Sequence, residues 1–287
     1  MAPQEVDCVV YHYPCSDGAG AALSAWTALG DCAVYVPLCY EAPFDEEKLR
    51  DKNVILIDCS FKPEQLQRVR AITRKLVILD HHDSAMKSLG HEPGCFFEMA
   101  NSGAVLGWHY FYGADVKPPK FIQLIEDRDL WRWQQREESE PLFYGMIDRY
   151  PELDFKNYEK YLDDQQLNGL IAHGKSLIAA NNRWCAETAQ NAELKTFKLP
   201  NSERTYSIMC QELESDKLVS ELAEYLYTRH KVDFVMFWYP LSANKYKLSF
   251  RSNSPDINLG EIAKTLGGGG HRAAAGAVVE DPLRLIK

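Results

Sequence analysis

"LVILDHHDSA", residues 76–85, runs four apolar residues straight into Asp80, His81, His82 and Asp83. Leu76, Val77, Ile78 and Leu79 have no polar residue among them, the pattern of a strand buried on both faces. A chain that ends such a strand on titratable groups puts them at the carboxyl edge of a parallel sheet, where open α/β sheets bind their ligands. The surrounding sequence fits that reading. CVVYHY (8–13), CAVYVPL (32–38), NVILIDCS (53–60) and KLVILDHH (75–82) read as strands, with GAGAALSAWTALG (18–30) and PEQLQRVRAI (63–72) as helices. This alternation predicts a Rossmann-like parallel sheet in an α/β domain.

Further along, SGAVLGWHYFYG (102–113) and KFIQLIEDRDLW (120–131) are helical, and residues 157–195 carry charged, Gln/Asn-rich helical patterns suited to a connector. From about 205 the pattern changes to YSIMC, a helix DKLVSELAEYLYTRH (216–230), and two runs, VDFVMFWYP (232–240) and KYKLSFRS (245–252), joined by LSAN as a β-hairpin. The tail INLGEIAKTLGGGGHRAAAGAVV (257–279) reads as a helix, a glycine loop and a small-residue segment. The expected organisation is an N-terminal domain over 1–165, a helical connector over 166–200 and a smaller α+β domain over 201–287.

A length of 287 residues suits two domains, and 46% hydrophobic with 25% charged residues is an ordinary globular composition. Forty-one acids against 32 bases give a net charge of -9. That excludes the broad basic surface of a protein that coats extended duplex nucleic acid, but not a short anionic substrate in a small cleft. No apolar run approaches the ~20 residues of a membrane span. The start, MAPQEVDCVV, lacks the basic-then-apolar pattern of a signal peptide. The eight cysteines are scattered without a CxxC pair, which reads as reduced thiols in a cytoplasmic protein.

Three of the four N-terminal strands finish on potential metal ligands: His12 with Asp17 in the next turn, Asp58, and Asp80-His81-His82. A single Asp after a strand is ordinarily a cap, and a single His is ordinarily a satisfied core residue. Convergence on one sheet edge is what favours chemistry. Mixed carboxylates and imidazoles suit Mn²⁺, Fe²⁺, Zn²⁺ or Mg²⁺, and two such ions can clamp a phosphoryl group. IEDRDLWRW (125–133) reads either as a charged helix end with a Trp anchor or as one further carboxylate, Asp127 in preference to Asp129. In GGGGHRAAAG, the amides of Gly267, Gly268, Gly269 and Gly270 could form an anion-binding nest, with His271 next to it; a flexible loop is the plain alternative. No Lys-Ser/Thr follows, so it is not a Walker A loop. Arg251 is a candidate phosphate holder through its fork. WRW (131–133) and FWY (237–239) could stack on bases, although aromatic pairs on strands are more often core.

Together these residues resemble the DHH phosphoesterase superfamily. The resemblance rests on Asp80-His81-His82, on HYPCSDGAGAA and LIDCS at the first and third strands, on IEDRDLW, and on SFRS…GGGGHRAAAG, similar to the DHH-associated substrate-binding domain of RecJ-like and nanoRNase-like members. It covers nearly the whole chain. It implies a two-domain phosphoesterase with its cleft between the domains and two divalent cations, often Mn²⁺. By motif match, His12, Asp17, Asp58, His81 and Asp127 would be ligands and Asp80 the bridging ligand. His82 would be a ligand or a substrate-polarising group, and Arg251, His271 and the glycine run would hold the substrate's phosphate or terminal nucleotide. One departure matters: the family's first motif usually carries Asp-x-Asp, and Cys15 stands at the earlier acid position. As a thiolate it would favour a softer ion, or leave the second site weak.

The expected function is hydrolysis of phosphoester bonds in short oligonucleotides or small nucleotides. RecJ-type processive nucleases are longer and carry an extra nucleic-acid-binding module. The alternatives are an exopolyphosphatase or pyrophosphatase-type hydrolase, a catalytically weak nucleotide-binding regulatory protein, and a zinc module built on Cys8, His12 and Cys15, whose spacing is poor. The expected partners are the substrate and a second copy of the chain, with no membrane.

Overall fold

The computed structural model describes residues 1–40, 42–200, 202–242 and 244–287. The chain divides into two compact units, Met1–Ile178 and Ala179–Lys287. In the first, strands β1 (Cys8–His12), β2 (Val34–Leu38), β3 (Asn53–Ile57), β4 (Lys75–Asp80) and β5 (Cys95–Phe97) form a sheet in the order β2-β1-β3-β4-β5. Every neighbouring pair in it is parallel. The order reverses between β1 and β3, the switch point where doubly wound sheets bind ligands. Register decides the rest. Tyr11 pairs with Ile57 and Ile57 with Leu79, so the next residues along, His12, Asp58 and Asp80, leave the sheet on one rung.

Helices α1 (Ser16–Leu29), α2 (Pro63–Ile72), α3 (Asp83–Leu89), α4 (Gly103–Tyr112), α5 (Lys120–Asp129), α6 (Arg136–Arg149) and α7 (Asp164–Thr188) complete the first unit, α7 running on into the second. The buried Ala19, Ala22, Leu23, Val105, Phe121 and Leu124 join α1, α4 and α5 in one core cluster. Leu49, Leu66, Val69 and Leu89 pack with Val10, Leu56 and Ile78 of the sheet in another. Apolar side chains on both sides of the sheet explain why β1, β3 and β4 are uninterrupted apolar runs.

In the second unit, β6 (Glu193–Lys198), β7 (Thr205–Glu212), α8 (Val219–Tyr227), β8 (Phe234–Ser242), β9 (Lys245–Arg251), α9 (Leu259–Thr265), β10 (Gly269–Gly270) and β11 (Ala274–Val279) build a sheet ordered β10-β11-β9-β8-β7-β6. It is antiparallel except for the parallel pair β7–β8. Strands β8 and β9 form the expected hairpin; Ala243, part of the expected LSAN connection, lies outside the described residues, as does Asn201, the expected start of the smaller domain.

Several features depart from expectation. The stretch expected as a helical connector over 166–200 is α7 followed by β6, because Glu193–Lys198 pairs antiparallel with β7 along its whole length and buries Phe197. Helix α6 contains Pro141, and β5 is three residues long; neither gives a clear pattern. Phe237, Trp238 and Tyr239 are all buried residues, of which Tyr239 lines the cavity that also holds Arg251. None of the eight cysteines is in a disulfide. Among the described residues no helix is long and apolar enough to cross a membrane.

Candidate metal centre

Asp58 is the centre of the site. It follows β3 in the left-handed region, φ 63°, and is 1% exposed. Its Oδ1 lies 3.1 Å from His81 Nε2 and its Oδ2 lies 3.4 Å from His12 Nδ1. Buried Asp58 Oδ2 and His12 Nδ1 have no hydrogen-bond partner, so two polar atoms face each other without a proton shared in good geometry. His81 Nε2 also lies 3.7 Å from Asp17 Oδ2 and 3.7 Å from Asp129 Oδ2. Its ring nitrogen therefore sits among three carboxylates. Burial opposes its charge, but the bond to Asp58 and the nearby charges of Asp17 and Asp129 outweigh it and raise its pKa to about 9.

The carboxylates respond to the same crowding. Asp17 is held well above the usual range, first by burial and then by the charges of Asp58 and Asp129. Asp129 is raised by burial and by Asp58. Burial pushes Asp58 up too, but the imidazoles of His12 and His81 hold it below the usual range. Asp17 is fixed by the start of α4, where Gly103 N–H donates to Oδ2 at 2.5 Å and Ala104 N–H to Oδ1 at 3.0 Å. A helix N-terminus favours a carboxylate there.

Two glycines make the close approach possible. A Cβ on Gly103 would stand 2.3 Å from Asp58 Cβ, and one on Gly18 would stand 2.0 Å from the His12 carbonyl oxygen. Both contacts are closer than atoms can pack, so the site needs a glycine at each. The small-residue run after HYPCSD is a visible sign of this in the sequence; the Gly103 requirement has no such sign.

Ligand-type atoms gather in three overlapping groups, each within 4.8 Å: Asp58, Asp80, His81 and His82; His12, Cys15 and Asp58; Asp17, His81 and Asp129. The donor set and the unpartnered atoms fit a divalent cation. His12, Asp17, Asp58 and His81, expected at the strand ends, are brought together. One expectation is corrected. The further carboxylate in the cluster is that of Asp129, not Asp127. Asp127 is spent on its own turn, its oxygens accepting from Gln134 N–H at 2.7 Å, Gln135 N–H at 3.2 Å and Ser139 Oγ at 2.7 Å. Asp80 lies in the first group and also accepts several hydrogen bonds. Its Oδ2 accepts from Ser60 Oγ at 2.6 Å, and its Oδ1 takes His82 Nδ1 at 2.6 Å and the His81 and His82 amides. Asp58 has an unpartnered oxygen and belongs to two of the groups, and Asp80 belongs to one of them. The bond from Asp80 raises the pKa of His82, whose side chain is 44% exposed.

In the second unit, Arg251, Lys247, Ser249, Gly269 and Gly270 line a cavity of about 410 Å³. Arg251 is held there by its Nη1–H donating to the Phe250 carbonyl at 2.9 Å and its Nε–H to Ser220 Oγ at 3.3 Å. The anion nest expected over the whole glycine run is not formed. Gly267 N–H donates to Lys264 O and Gly268 N–H to Ala263 O, closing the end of α9. Gly269 and Gly270 pair with β11, and His271 is exposed and absent from the cavity wall.

Residues 205–287 match the DHHA1 domain family. The chain is 29% identical over 290 residues to uncharacterized protein R106 of Acanthamoeba polyphaga mimivirus, an alignment that covers 95% of this chain and 67% of the viral protein. It is similar to the solved structure of the pGpG-specific phosphodiesterase PggH of Vibrio cholerae, with a TM-score of 0.57 and 13% identity over 97% of this chain and 95% of that one. A likeness to RecJ of Thermus thermophilus in complex with Mn²⁺ has a TM-score of 0.46 and 14% identity, covering 98% of this chain and 50% of RecJ. Residues 205–287 thus carry a DHHA1 domain, and Asp80-His81-His82 stand at the carboxyl edge of the parallel sheet that precedes it in the chain, the arrangement that the resemblance to the DHH superfamily implies.

Proposed function

We propose that this protein is a divalent-cation-dependent phosphoesterase that hydrolyses short oligonucleotides or small nucleotides. One observation carries the reading: His12, Asp17, His81 and Asp129 gather around Asp58, where two buried polar atoms lack a partner. His12, Asp17, Asp58, His81 and Asp129 would hold the ions. Bound there, divalent cations polarise a phosphoryl oxygen and lower the pKa of a water. His82 takes a different part. Asp80 fixes its Nδ1 and favours the charged ring, which leaves Nε2–H to donate to a phosphoryl or leaving-group oxygen. The net charge of -9 and the small cavity beside Arg251 support a short substrate. The fold shared with a phosphodiesterase named for pGpG is consistent with that class.

The test is turnover by the purified chain, with Mn²⁺, Mg²⁺ or Zn²⁺, of 5′-labelled oligomers of two to ten nucleotides, a cyclic dinucleotide and polyphosphate. Dinucleotide hydrolysis, abolished by chelator and restored by the ion, is expected. Turnover of polyphosphate alone would replace the nucleotide reading, and tight nucleotide binding without turnover would make the chain a sensor.

Two further outcomes follow from this reading. Arg251→Ala should lose about ten- to a hundredfold in kcat/KM on substrates with a terminal phosphate or nucleotide, through a lost charge-assisted hydrogen bond. Metal content should not change; an equal loss on a minimal chromogenic phosphodiester would place Arg251 elsewhere in the reaction. Cys15 gives the other. Its half-buried thiol is pushed up to about 12, first by burial and then by Asp58, so only a thiophilic ion would displace its proton. Cys15→Asp should shift the ratio of Zn²⁺ to Mn²⁺ affinity by about tenfold or more, and by more than Cys15→Ser does. Equal ratios in competition titrations of all three proteins would reduce Cys15 to packing.

A further inference from the structure

We infer that Trp131 is a stacking platform for a nucleobase of the substrate, held beside the carboxylate cluster by a turn organised on Asp127. The inference rests on the nucleotide reading above and names where a base would be read. Trp131 is 74% exposed, the most exposed large hydrophobic side chain among the described residues. The turn that carries it is unusual. Trp131 and Trp133 both adopt left-handed backbone, φ 51° and 53°, a region unfavourable for bulky side chains.

What holds them there is Asp127. Its carbonyl accepts from Arg132 N–H at 2.9 Å and Trp133 N–H at 3.4 Å, while its carboxylate takes Gln134, Gln135 and Ser139. Five donors converge on one buried residue. Arg132 is tied down in turn, to Glu126 at 2.9 Å and to the Ala100 carbonyl. Trp133 is braced by the Arg136 guanidinium, 5.0 Å from its ring. Trp131 meets Trp133 edge-to-face at 5.3 Å, a contact that leaves most of its indole open.

Position and rim decide the occupant. Trp131 follows Asp129 by two residues, so their Cα atoms are at most about 7 Å apart, and the Asp129 carboxylate is 3.7 Å from His81 Nε2. A phosphate held at the cluster would carry its nucleoside within reach of the indole. The neighbours Arg132, Gln134 and Gln135 are exposed. This polar rim does not extend the indole into the apolar patch that a protein partner would need, whereas a flat base needs only one ring face.

The test compares wild type, Trp131→Ala and Trp131→Phe on a dinucleotide and on its two analogues with one base removed. Trp131→Ala should lose about 5- to 150-fold in kcat/KM on the dinucleotide, mostly in KM. It should converge with wild type on one of the two abasic analogues. Trp131→Phe should keep most of the activity, with bound metal and Tm unchanged in both variants. Equal loss on all three substrates, or no loss, overturns the inference. If wild type hydrolyses no phosphoester, the functional reading falls separately, and quenching of tryptophan emission by a nucleoside monophosphate decides this one. Quenching lost in Trp131→Ala supports it; absent quenching, or quenching equal in both proteins, overturns it.

Discussion

Asp58→Asn is expected to abolish metal binding and to reduce turnover by on the order of a hundred- to ten-thousandfold, while the protein stays folded. Asp58 offers one oxygen to His81 and the other to His12, and among the described residues no other carboxylate lies within 4 Å of both imidazoles. An amide would present a neutral oxygen on one side and a donor on the other, and neither suits a shared cation. Folding should survive, because removing the charge of Asp58 relieves the repulsion that raises Asp17 and Asp129. Asp80→Asn is the control. Its oxygens already serve Ser60, His82 and two amides, and an Asn oxygen can keep part of that set. That variant should retain its metal and lose about ten- to a hundredfold in kcat, since a positioning partner is removed rather than a ligand. Elemental analysis beside steady-state kinetics checks both. Full metal content in Asp58→Asn, or metal loss confined to Asp80→Asn, would return the bridging role to Asp80.

The strand ends were legible because period and position are local facts. Apolar runs fix β1, β3 and β4, and the residue after each run lands on the sheet edge whatever the rest of the chain does. His12, Asp58 and His81 could therefore be named from sequence. Asp17 could be named because it follows β1 closely, in the first turn of α1, and the start of α4 then fixes it. The choice between Asp127 and Asp129 could not be made in the same way. Both are acids at the end of one helix, two positions apart, so periodicity says only that they face differently. What separates them is a turn stabilised by Gln134, Gln135 and Ser139, none of which carries a pattern that announces its partner.

The choice between Asp58 and Asp80 as the bridging ligand is hard to read from sequence for a related reason. The pair of histidines draws attention to Asp80, while one of the bonds that Asp80 accepts comes from Ser60, twenty positions upstream on the neighbouring strand's loop. The glycine run shows the opposite failure. Four glycines suggest a loop open to a ligand, yet a Cβ on Gly268 would stand 2.1 Å from the Gly276 carbonyl oxygen. Close packing against β11 accounts for that glycine without any anion.

The two acids of α5 should separate cleanly when each is replaced. Asp129→Asn is expected to weaken metal binding at the Asp17–His81 side of the cluster and to leave the metal-free protein as stable as wild type or more so. The sign follows from the shift: burial and Asp58 raise the carboxyl of Asp129, so its ionised form is disfavoured in the native state. Stability is lost as pH rises past its ordinary range, and a neutral amide removes that cost. Asp127→Ala is expected to do the reverse. It strips the acceptor from two amides and the Ser139 hydroxyl, each bonded to a charged group. Water can re-solvate the exposed part of the turn, so the net loss should be about 2–4 kcal/mol, or roughly 4–16 °C in Tm for a unit of this size. Metal content in the folded fraction should persist, because the Asp129 carboxylate sits upstream of the damaged turn. Thermal melts with and without Mn²⁺ read both effects at once. If Asp127→Ala lost its metal while keeping its Tm, Asp127 would be the ligand after all, and the hydrogen bonds that occupy its carboxylate would have to yield to the ion.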